Sequence, residues 1–349
     1  MSFLNSECIL TSMKRVYQYQ RDHQTRSVVR STGKTRFIKD TDWERGVFWS
    51  CVATAWQATD DNEYLDGVMN YTRHTGFRTG PNPRFADDHV CCQAYLDVYP
   101  LINKVEALEP TIKAFDLMLN EPLPGRKDWW WCDSLFMAPP AFAALSQVTG
   151  DRKYLDYMNS AFWDAMAHLK DPQTGLIYRD QRYIPDGQGG ELRESNGEKV
   201  FWSRGIGWVL AALPRLLDRM PADFAAREQY VSAYRELAAV VIPYQQADGM
   251  WRTSLLDPQS FPAKESSATA LFCYGLARGI SLGILDRETY LPVIEKAWQA
   301  LLSCIHDNGM LGWVQLPAFN PRDVRAEHNI DYGAGAFLLA GSALLALTK

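Results

Sequence analysis

The chain has 349 residues, of which 47% are hydrophobic and 22% charged, and its formal net charge is −5. This composition is normal for a globular protein with a large core. Because the sequence has no long Lys/Arg stripe and no apolar run near the ~20 residues of a membrane span, we expect neither nucleic acid nor a membrane as a partner.

Cysteine and histidine usage bears on the redox compartment and on metals. None of the seven Cys lies in a C-x-x-C spacing, and most fall in apolar helical stretches, which is typical of reduced, buried thiols. The six His are scattered without an H-x-x-x-H or H-E-x-x-H pair. The first residues lack the basic start and apolar stretch of a secretory signal. We therefore expect a cytoplasmic protein that holds no metal.

A two-helix unit repeats about six times along the chain. Each unit begins with a polar or glycine-rich start that leads into a helix of small and aromatic residues, and a longer, more charged helix follows. The starts are residues 46–49, 87–89, 132–135, 203–208, 265–268 and 331–334. This period is the signature of a closed helical toroid or a solenoid. Because no Gly/Ser/Pro-rich linker divides the chain, we expect one all-α domain over residues 1–349, with its inner helices starting on one rim.

The second start carries two adjacent acids, Asp87 and Asp88, followed by His89. A carboxylate that faces the rim here would meet Asp133, at the start of the next inner helix. Two such carboxylates suit acid/base chemistry on a sugar. The alternative is that they cap their helix. We expect one of the two acids to cap and Asp88 to face inward, with His89 as a hydrogen-bonded wall residue.

Asp133 is the strongest candidate for a catalytic acid. It follows three indoles, Trp129 to Trp131, and burial among such residues raises the pKa of a carboxyl. The alternative is an N-cap aspartate, whose pKa the helix end would lower. Pro139 and Pro140 follow six residues after Asp133. Since Pro is tolerated in the first turn of a helix and kinks it later, we expect a bend or a late helix start there.

The fourth start combines a cation, two glycines and an indole. The glycines would let backbone N–H groups approach a ligand, Arg204 could pair with a carboxylate through two hydrogen bonds, and Trp208 offers a stacking face. The alternative is that the glycines only permit close helix packing. Tryptophans cluster at helix starts, where sugar rings would stack, namely Trp43, Trp129, Trp131, Trp202, Trp208 and Trp251.

Several sequence motifs resemble those of the unsaturated glycuronyl hydrolases of glycoside hydrolase families 105 and 88. The resemblance to family 105 is the closer. The resemblance runs from Asp42 to Gly341, nearly the whole chain. It rests on four phrases in the right order, residues 86–89, 131–139, 201–208 and 248–251. It implies an (α/α)6 barrel that needs no metal or organic cofactor.

The resemblance also implies an uncommon hydrolysis. The substrate of such enzymes is an anionic oligosaccharide that a polysaccharide lyase has left with a C4=C5 double bond in its terminal uronic acid. An aspartic acid protonates C4 and activates water for C5, and the hemiketal that forms collapses to release the remaining sugar. The leaving sugar that we expect is that of a rhamnogalacturonan-type disaccharide.

By this resemblance Asp133 is the general acid/base, and Asp88 is the second active-site aspartate, which binds ring hydroxyls and supports Asp133. Arg204 and Trp208 match the Arg and Trp of the family's R-G-N-G-W motif and are implied to bind substrate. The full set of predicted substrate-binding residues is Arg204, Trp208, Trp131, His89, Trp43, Arg179 and Trp251.

Two departures from the family pattern concern the leaving sugar. Ile206 replaces the Asn of the R-G-N-G-W motif, and Arg179 stands where some rhamnogalacturonan-acting members carry His. Arg179 could recognise a second anion, such as a carboxylate or a sulfate. An ulvan-derived disaccharide, with rhamnose next to the unsaturated uronate, therefore stays open as a substrate.

Two functions of other classes also stay open. A conventional inverting glycosidase on the same barrel would need an acid and a base about 6.5–9.5 Å apart and would cleave saturated oligosaccharides. A non-catalytic helical scaffold would bind peptides, and its rim aspartates would be fully solvated and ion-paired.

Overall fold

The structure is a computed structural model of the chain and describes residues 4–29, 33–123, 126–188 and 191–348. Within these ranges it is mainly helical, as the sequence predicts. The helices are α1 (Ser6–Asp22), α2 (Trp43–Thr59), α3 (Asn62–Thr75), α4 (Val90–Ile102), α5 (Glu109–Asn120), α6 (Ser134–Met137), α7 (Pro139–Thr149), α8 (Lys153–Leu169), α9 (Ser203–Leu217), α10 (Arg227–Val241), α11 (Ser266–Ser281), α12 (Arg287–Leu302) and α13 (Asp331–Leu345). Two short strands, β1 (Ser27–Val29) and β2 (Thr35–Phe37), pair antiparallel. No helix in the described ranges is long and apolar enough to cross a bilayer.

The inner ring consists of helices that are buried on nearly all sides. α2 packs on α4, α4 on α7, α7 on α9, α9 on α11, α11 on α13, and α13 back on α2, so the ring closes. Every residue of α9 and of α13 is buried, which accounts for their continuous runs of small and apolar residues. The prediction of an (α/α)6 barrel is confirmed.

The outer helices each bury one face against an inner helix. α1 packs on α13, α3 on α2, α8 on α7, α10 on α9 and α12 on α11. In α10 the buried positions include Tyr230, Tyr234, Leu237 and Val241, at the spacing of three to four residues that one helix face requires. Full burial of each such side chain contributes roughly 1.5–3 kcal/mol.

Glycines let α2 approach both of its neighbours in the ring. A Cβ at Gly46 would lie 2.9 Å from the backbone nitrogen of Cys91 in α4. A Cβ at Gly335 of α13 would lie 3.0 Å from the Cα of Phe48. Larger residues at these two positions would push the helices apart.

The inner helices run in the same direction, as predicted. The chain bends where the two prolines predict it, because α6 ends at Met137 and α7 begins at Pro139. Trp43 at the start of α2 and Asp133 directly before α6 border one cavity, together with Asp87 and Asp88 just before α4. Thr54, Arg215 and Ser342, near the last residues of their helices, border a second cavity of about 500 Å³.

Candidate active site

The end of the barrel where α2, α4 and α6 begin is hollow. The cavity there has a volume of about 720 Å³, within the range of known ligand pockets. The hairpin β1–β2 and the loop before α13 complete its wall. Its lining residues are Val28, Val29, Arg36, Phe37, Lys39, Asp42, Trp43, Phe85, Asp87, Asp88, Trp131, Asp133, Met137, Arg179, Pro317, Ala318 and Phe319.

Asp133 lies on the cavity wall directly before α6. Its side chain is 13% exposed and makes no hydrogen bond to the N–H groups of its own helix, so it does not act as a cap. Its Oδ2 accepts a hydrogen bond from the Cys132 thiol at 3.4 Å and lies 3.6 Å from Nε of Arg179. No donor in the described ranges bonds Oδ1, which is left available to a ligand.

Asp87 and Asp88 both line the cavity, but their carboxyls differ in what they contact. Asp88 Oδ2 accepts the backbone N–H of Asn82 at 2.8 Å, and its carboxyl packs so closely on Gly80 that any Cβ there would overlap it. Burial raises the pKa of Asp88 to about 6. Burial, and then the negative charge of Asp133, raise the pKa of Asp87 well above its usual value.

Neither acid makes a capping hydrogen bond, and Ala86–His89 forms a 3-10 helix before α4. Asp88 lines the cavity, as expected, and also holds the loop that precedes it. Asp87 lines the same cavity and is the acid on which the charge of Asp133 acts.

A third carboxyl, that of Glu44, also raises the pKa of Asp87. Glu44 lies in the first turn of α2 and is fully buried; one of its oxygens pairs with Arg36 of β2, and the other has no hydrogen-bond partner. Burial raises the pKa of Glu44 to about 7, against the opposing charge of Arg36. Arg36 also pairs with Asp42 at 2.6 Å, so ion pairs hold the hairpin to the start of α2.

Aromatic rings surround the cations and carboxyls of the cavity. The guanidinium carbon of Arg179 lies 5.3 Å from the ring centre of Trp130 and 5.7 Å from that of Phe319. Trp131 stacks on Phe85 with ring centres 5.0 Å apart. The structure thus brings together five of the predicted site residues, Asp133, Asp88, Trp131, Trp43 and Arg179.

Four other residues predicted to bind substrate lie in the core and not on the cavity wall: His89, Arg204, Trp208 and Trp251. His89 bonds the Pro83 carbonyl through Nε2 at 2.9 Å, and burial lowers its pKa to about 4. Trp251 Nε1 donates to the Val241 carbonyl at 2.8 Å. These side chains support the cavity from within the barrel.

One loop segment covers the start of α9. The two terminal nitrogens of Arg204 donate to the carbonyls of Gln315 and its neighbour, and the guanidinium lies 4.7 Å from the Trp202 ring and 4.8 Å from the Tyr332 ring. Gln315 in turn donates its N–H to Glu265, at the start of α11, at 3.1 Å. Because this segment seals the starts of α9 and α11, the cavity opens over the other side of the rim.

This chain is similar to known carbohydrate-active proteins. The family described as Glycosyl Hydrolase Family 88 matches residues 12–348. The chain belongs to this family. The Unsaturated 3S-rhamnoglycuronyl hydrolase of Formosa agariphila is 36% identical over 327 residues, which cover 89% of this chain and 86% of that relative.

Two solved structures are similar in fold to this family 88 chain. A structure named Glycosyl hydrolase family 88 from Bacteroides vulgatus matches with a TM-score of 0.86 and 27% identity, over 98% of this chain and 99% of that one. A structure named Polysaccharide Lyase BACCELL_00875 matches with a TM-score of 0.85 and 29% identity, over 97% of each chain. The resemblance stated from the sequence is confirmed.

As a family 88 protein the chain is a glycosyl hydrolase, and its cavity holds groups suited to that chemistry. The negative charge of Asp133 helps to raise the pKa of Asp87 on the wall of the same cavity. Arg179 supplies positive charge beside Asp133. The arrangement can therefore deliver a proton and hold an anion next to it. In the described ranges no group of three or more His, Cys, Asp or Glu is arranged to hold a metal ion.

Sequence reasoning missed Glu44, which lies outside the cavity wall but acts on Asp87, and several residues of the wall itself. The sequence does contain an indication of Glu44. This acid stands in the first turn of a largely apolar inner helix, where burying a carboxylate costs free energy. No local sequence feature predicts that Phe37, Lys39 and Phe319 line the cavity, because the hairpin and the loop before α13 reach it only through long-range packing.

Proposed function

We propose that this hydrolase removes a terminal 4,5-unsaturated uronic acid from oligosaccharides that a polysaccharide lyase has produced. One observation carries the proposal: Asp133, with an unbonded carboxyl oxygen, shares a cavity with Asp87 and with the guanidinium of Arg179. The name of the Formosa agariphila relative, an unsaturated 3S-rhamnoglycuronyl hydrolase, supports it.

Hydration of the C4=C5 vinyl ether needs one proton and one water molecule. Asp133 gives its proton to C4, and positive charge develops at C5 and the ring oxygen. Water adds to C5 while Asp133 takes a proton from it, which restores the acid. The C5 hemiketal then opens by breaking the bond between C5 and the ring oxygen, and the C1 hemiacetal that remains expels the next sugar as an alcohol.

The other groups have separate roles in this proposal. Asp87 lines the same cavity as Asp133 and hydrogen-bonds a ring hydroxyl, while Asp88 holds the loop that precedes it. Arg179 binds the carboxylate on C5, because that carboxylate must lie beside the acid that protonates C4. Arg204 is not available for this role, since its terminal nitrogens already donate to backbone carbonyls.

The leaving sugar in this proposal is a sulfated rhamnose. The name of the Formosa agariphila relative joins 3S to rhamnoglycuronyl, and our proposal takes 3S to denote a sulfate on carbon 3 of the rhamnose. That relative favours an ulvan-type disaccharide over the rhamnogalacturonan-type disaccharide expected first. An Arg at position 179, where some rhamnogalacturonan-acting members carry His, agrees with this choice.

The test is incubation with lyase-generated oligosaccharides from ulvan, pectin and glycosaminoglycans, followed by the ultraviolet absorbance of the unsaturated uronate. We expect the absorbance to fall with the ulvan products and saturated glycosides to stay intact. The Asp133→Asn protein is the control and should leave the absorbance unchanged. Cleavage of saturated oligosaccharides would instead favour the conventional glycosidase.

A second candidate is β-elimination, which the similarity to the structure named Polysaccharide Lyase BACCELL_00875 favours. A lyase creates a double bond in the uronic acid, whereas the proposed hydrolase removes one. The same absorbance therefore rises for a lyase acting on intact polysaccharide and falls for the hydrolase acting on unsaturated products, so the sign of the change separates the two.

We also propose that residues 1–349 form one catalytic domain and that the protein acts in the cytoplasm. The family match from residue 12 to residue 348 supports a single domain. All seven cysteines are free, and six of them are buried, which suits a reducing compartment. Cell fractionation with an antibody against the chain tests the location.

A further inference from the structure

The residues that follow strand β2 form a fixed edge of the cavity. The N–H of Ile38 donates to the backbone just before β1 at 2.9 Å, and the N–H of Lys39 donates to Asp42 Oδ2 at 3.0 Å. The hydroxyl of Tyr71 donates to the carbonyl of Asp40 at 2.9 Å. Because three consecutive residues are tied down, the backbone of Lys39 has a defined position at the cavity.

Lys39 differs from the other cations that line the cavity. Arg36 is paired with two carboxylates at the start of α2. Arg179 is paired with Asp180 at 2.6 Å and lies 3.6 Å from Asp133. Among the described residues no carboxylate lies within 4.0 Å of the Lys39 ammonium, and the side chain is exposed. Lys39 is therefore the lining cation whose charge is available to a ligand.

Lys39 lines the cavity on the side of the hairpin, where it follows β2 and its backbone N–H donates to Asp42 Oδ2. Its charge lowers the pKa of Asp88, against the larger effect of burial. The apolar residues on the same side are open to a ligand, since Phe37 is 75% exposed and Val29 is 68% exposed. A cation beside an open aromatic face is suited to a sugar ring that carries an anion.

We propose that Lys39 binds the sulfate ester of the leaving sugar and so determines the preference for a sulfated substrate. The inference rests on the proposed function, in which the substrate carries two anions. Its carboxylate is bonded to C5 and must lie beside Asp133 and Arg179, while its sulfate is one sugar ring further along. An ammonium suits a tetrahedral sulfate, because it acts as a point charge with three rotatable donors and imposes no planar geometry.

The test compares kcat and KM on one unsaturated uronyl-rhamnose disaccharide with and without its 3-sulfate. We expect Lys39→Ala to raise KM for the sulfated disaccharide about tenfold, as the loss of one charge-assisted contact predicts, and to leave kcat and the KM for the unsulfated one unchanged. Lys39→Arg should keep most of the preference. The preference of the wild-type protein should also weaken with added salt.

Lys34 provides the matched control. It is exposed, lies in the turn of the same hairpin and does not line the cavity. Lys34→Ala should leave both KM values unchanged; an equal loss of preference in this variant would mean that net charge acts from a distance and would overturn the assignment to Lys39. A Lys39→Ala protein with the wild-type ratio of the two KM values would overturn it as well.

Calorimetry on the Asp133→Asn protein separates this inference from the proposed function. If the wild-type protein turns over neither disaccharide, the proposed hydrolysis fails, but binding of the sulfated disaccharide still reports on Lys39. Adding Lys39→Ala to the Asp133→Asn protein should then weaken that binding about tenfold. Equal binding by the single and the double variant would refute the role of Lys39.

Discussion

Replacing Arg204 with Met is expected to lower the stability of the protein more than its affinity for substrate. The Arg204 side chain is 1% exposed, and its terminal nitrogens donate to the carbonyls of Gln315 and Leu316. Met keeps much of the side-chain volume but removes both hydrogen bonds. The Leu316 carbonyl loses this donor, while the Gln315 carbonyl keeps the bond from the Tyr332 hydroxyl.

The size of the loss follows from these contacts. Each hydrogen bond from a charged group contributes about 1.5–3 kcal/mol, and each cation–π contact, here with Trp202 and Tyr332, about 0.5–2 kcal/mol. Removing a buried guanidinium also removes the cost of keeping it out of water, which offsets part of this sum. We expect a net loss of about 3 kcal/mol, which for a chain of this length lowers Tm by roughly 4 °C.

The assay is thermal unfolding of the wild-type and Arg204→Met proteins, with KM measured on the folded fraction. Arg252→Met is the control, since Arg252 pairs with the partly exposed Asp248 at 2.9 Å and such a pair contributes about 0–1 kcal/mol. An Arg204→Met protein as stable as the wild type, with KM raised tenfold or more, would refute the reasoning and return Arg204 to substrate binding.

Three further substitutions test the carboxyl cluster and its support. Asp87→Ala should lower kcat/KM about tenfold, because it removes one hydrogen bond to the substrate, with little change in Tm, whereas Asp88→Ala should mainly lower Tm; an equal loss of kcat/KM in both would contradict their separation. Burial raises the pKa of Glu44 from 4.5 to about 7, so between these pH values the folded protein holds a proton that the unfolded chain has lost. Stability relative to Glu44→Gln should therefore fall by up to about 3 kcal/mol as pH rises through this window, and a constant difference in denaturant unfolding would count against it. Gly205→Ala places a Cβ 2.8 Å from Cys132 Sγ and should lower both Tm and kcat, because this thiol donates to the acid/base carboxyl; wild-type values for both would disprove the steric argument.

Local sequence pattern was sufficient for the barrel and for part of its site. The periodic helix starts predict which residues begin inner helices, and this alone brings Trp43, Asp88 and Asp133 to one cavity. The position of Asp133 directly before a helix also follows from the sequence. Its failure to cap that helix does not, because capping depends on a backbone geometry that short-range pattern leaves undetermined.

Long-range packing decides the part that the sequence could not predict. Arg204 and Trp208 begin an inner helix as predicted, but Gln315, more than 100 residues further along the chain, brings a loop across that helix start. No sequence feature near residue 204 predicts that this loop covers the start of the helix. Asp87 was expected to cap its helix, yet it lines the cavity together with Asp88, and short-range pattern did not predict the 3-10 geometry of residues 86–89.

Proton NMR of a single reaction tests the central claim most directly, that Asp133 adds water across the double bond of an unsaturated uronate. The unsaturated uronyl-rhamnose disaccharide is followed over time for its C4 vinyl proton and for the anomeric proton of free rhamnose. We predict that the vinyl signal disappears in step with the release of rhamnose by the wild-type protein and that both signals stay constant with Asp133→Asn. Release of rhamnose while the vinyl proton persists, or turnover by Asp133→Asn at the wild-type rate, would contradict the account.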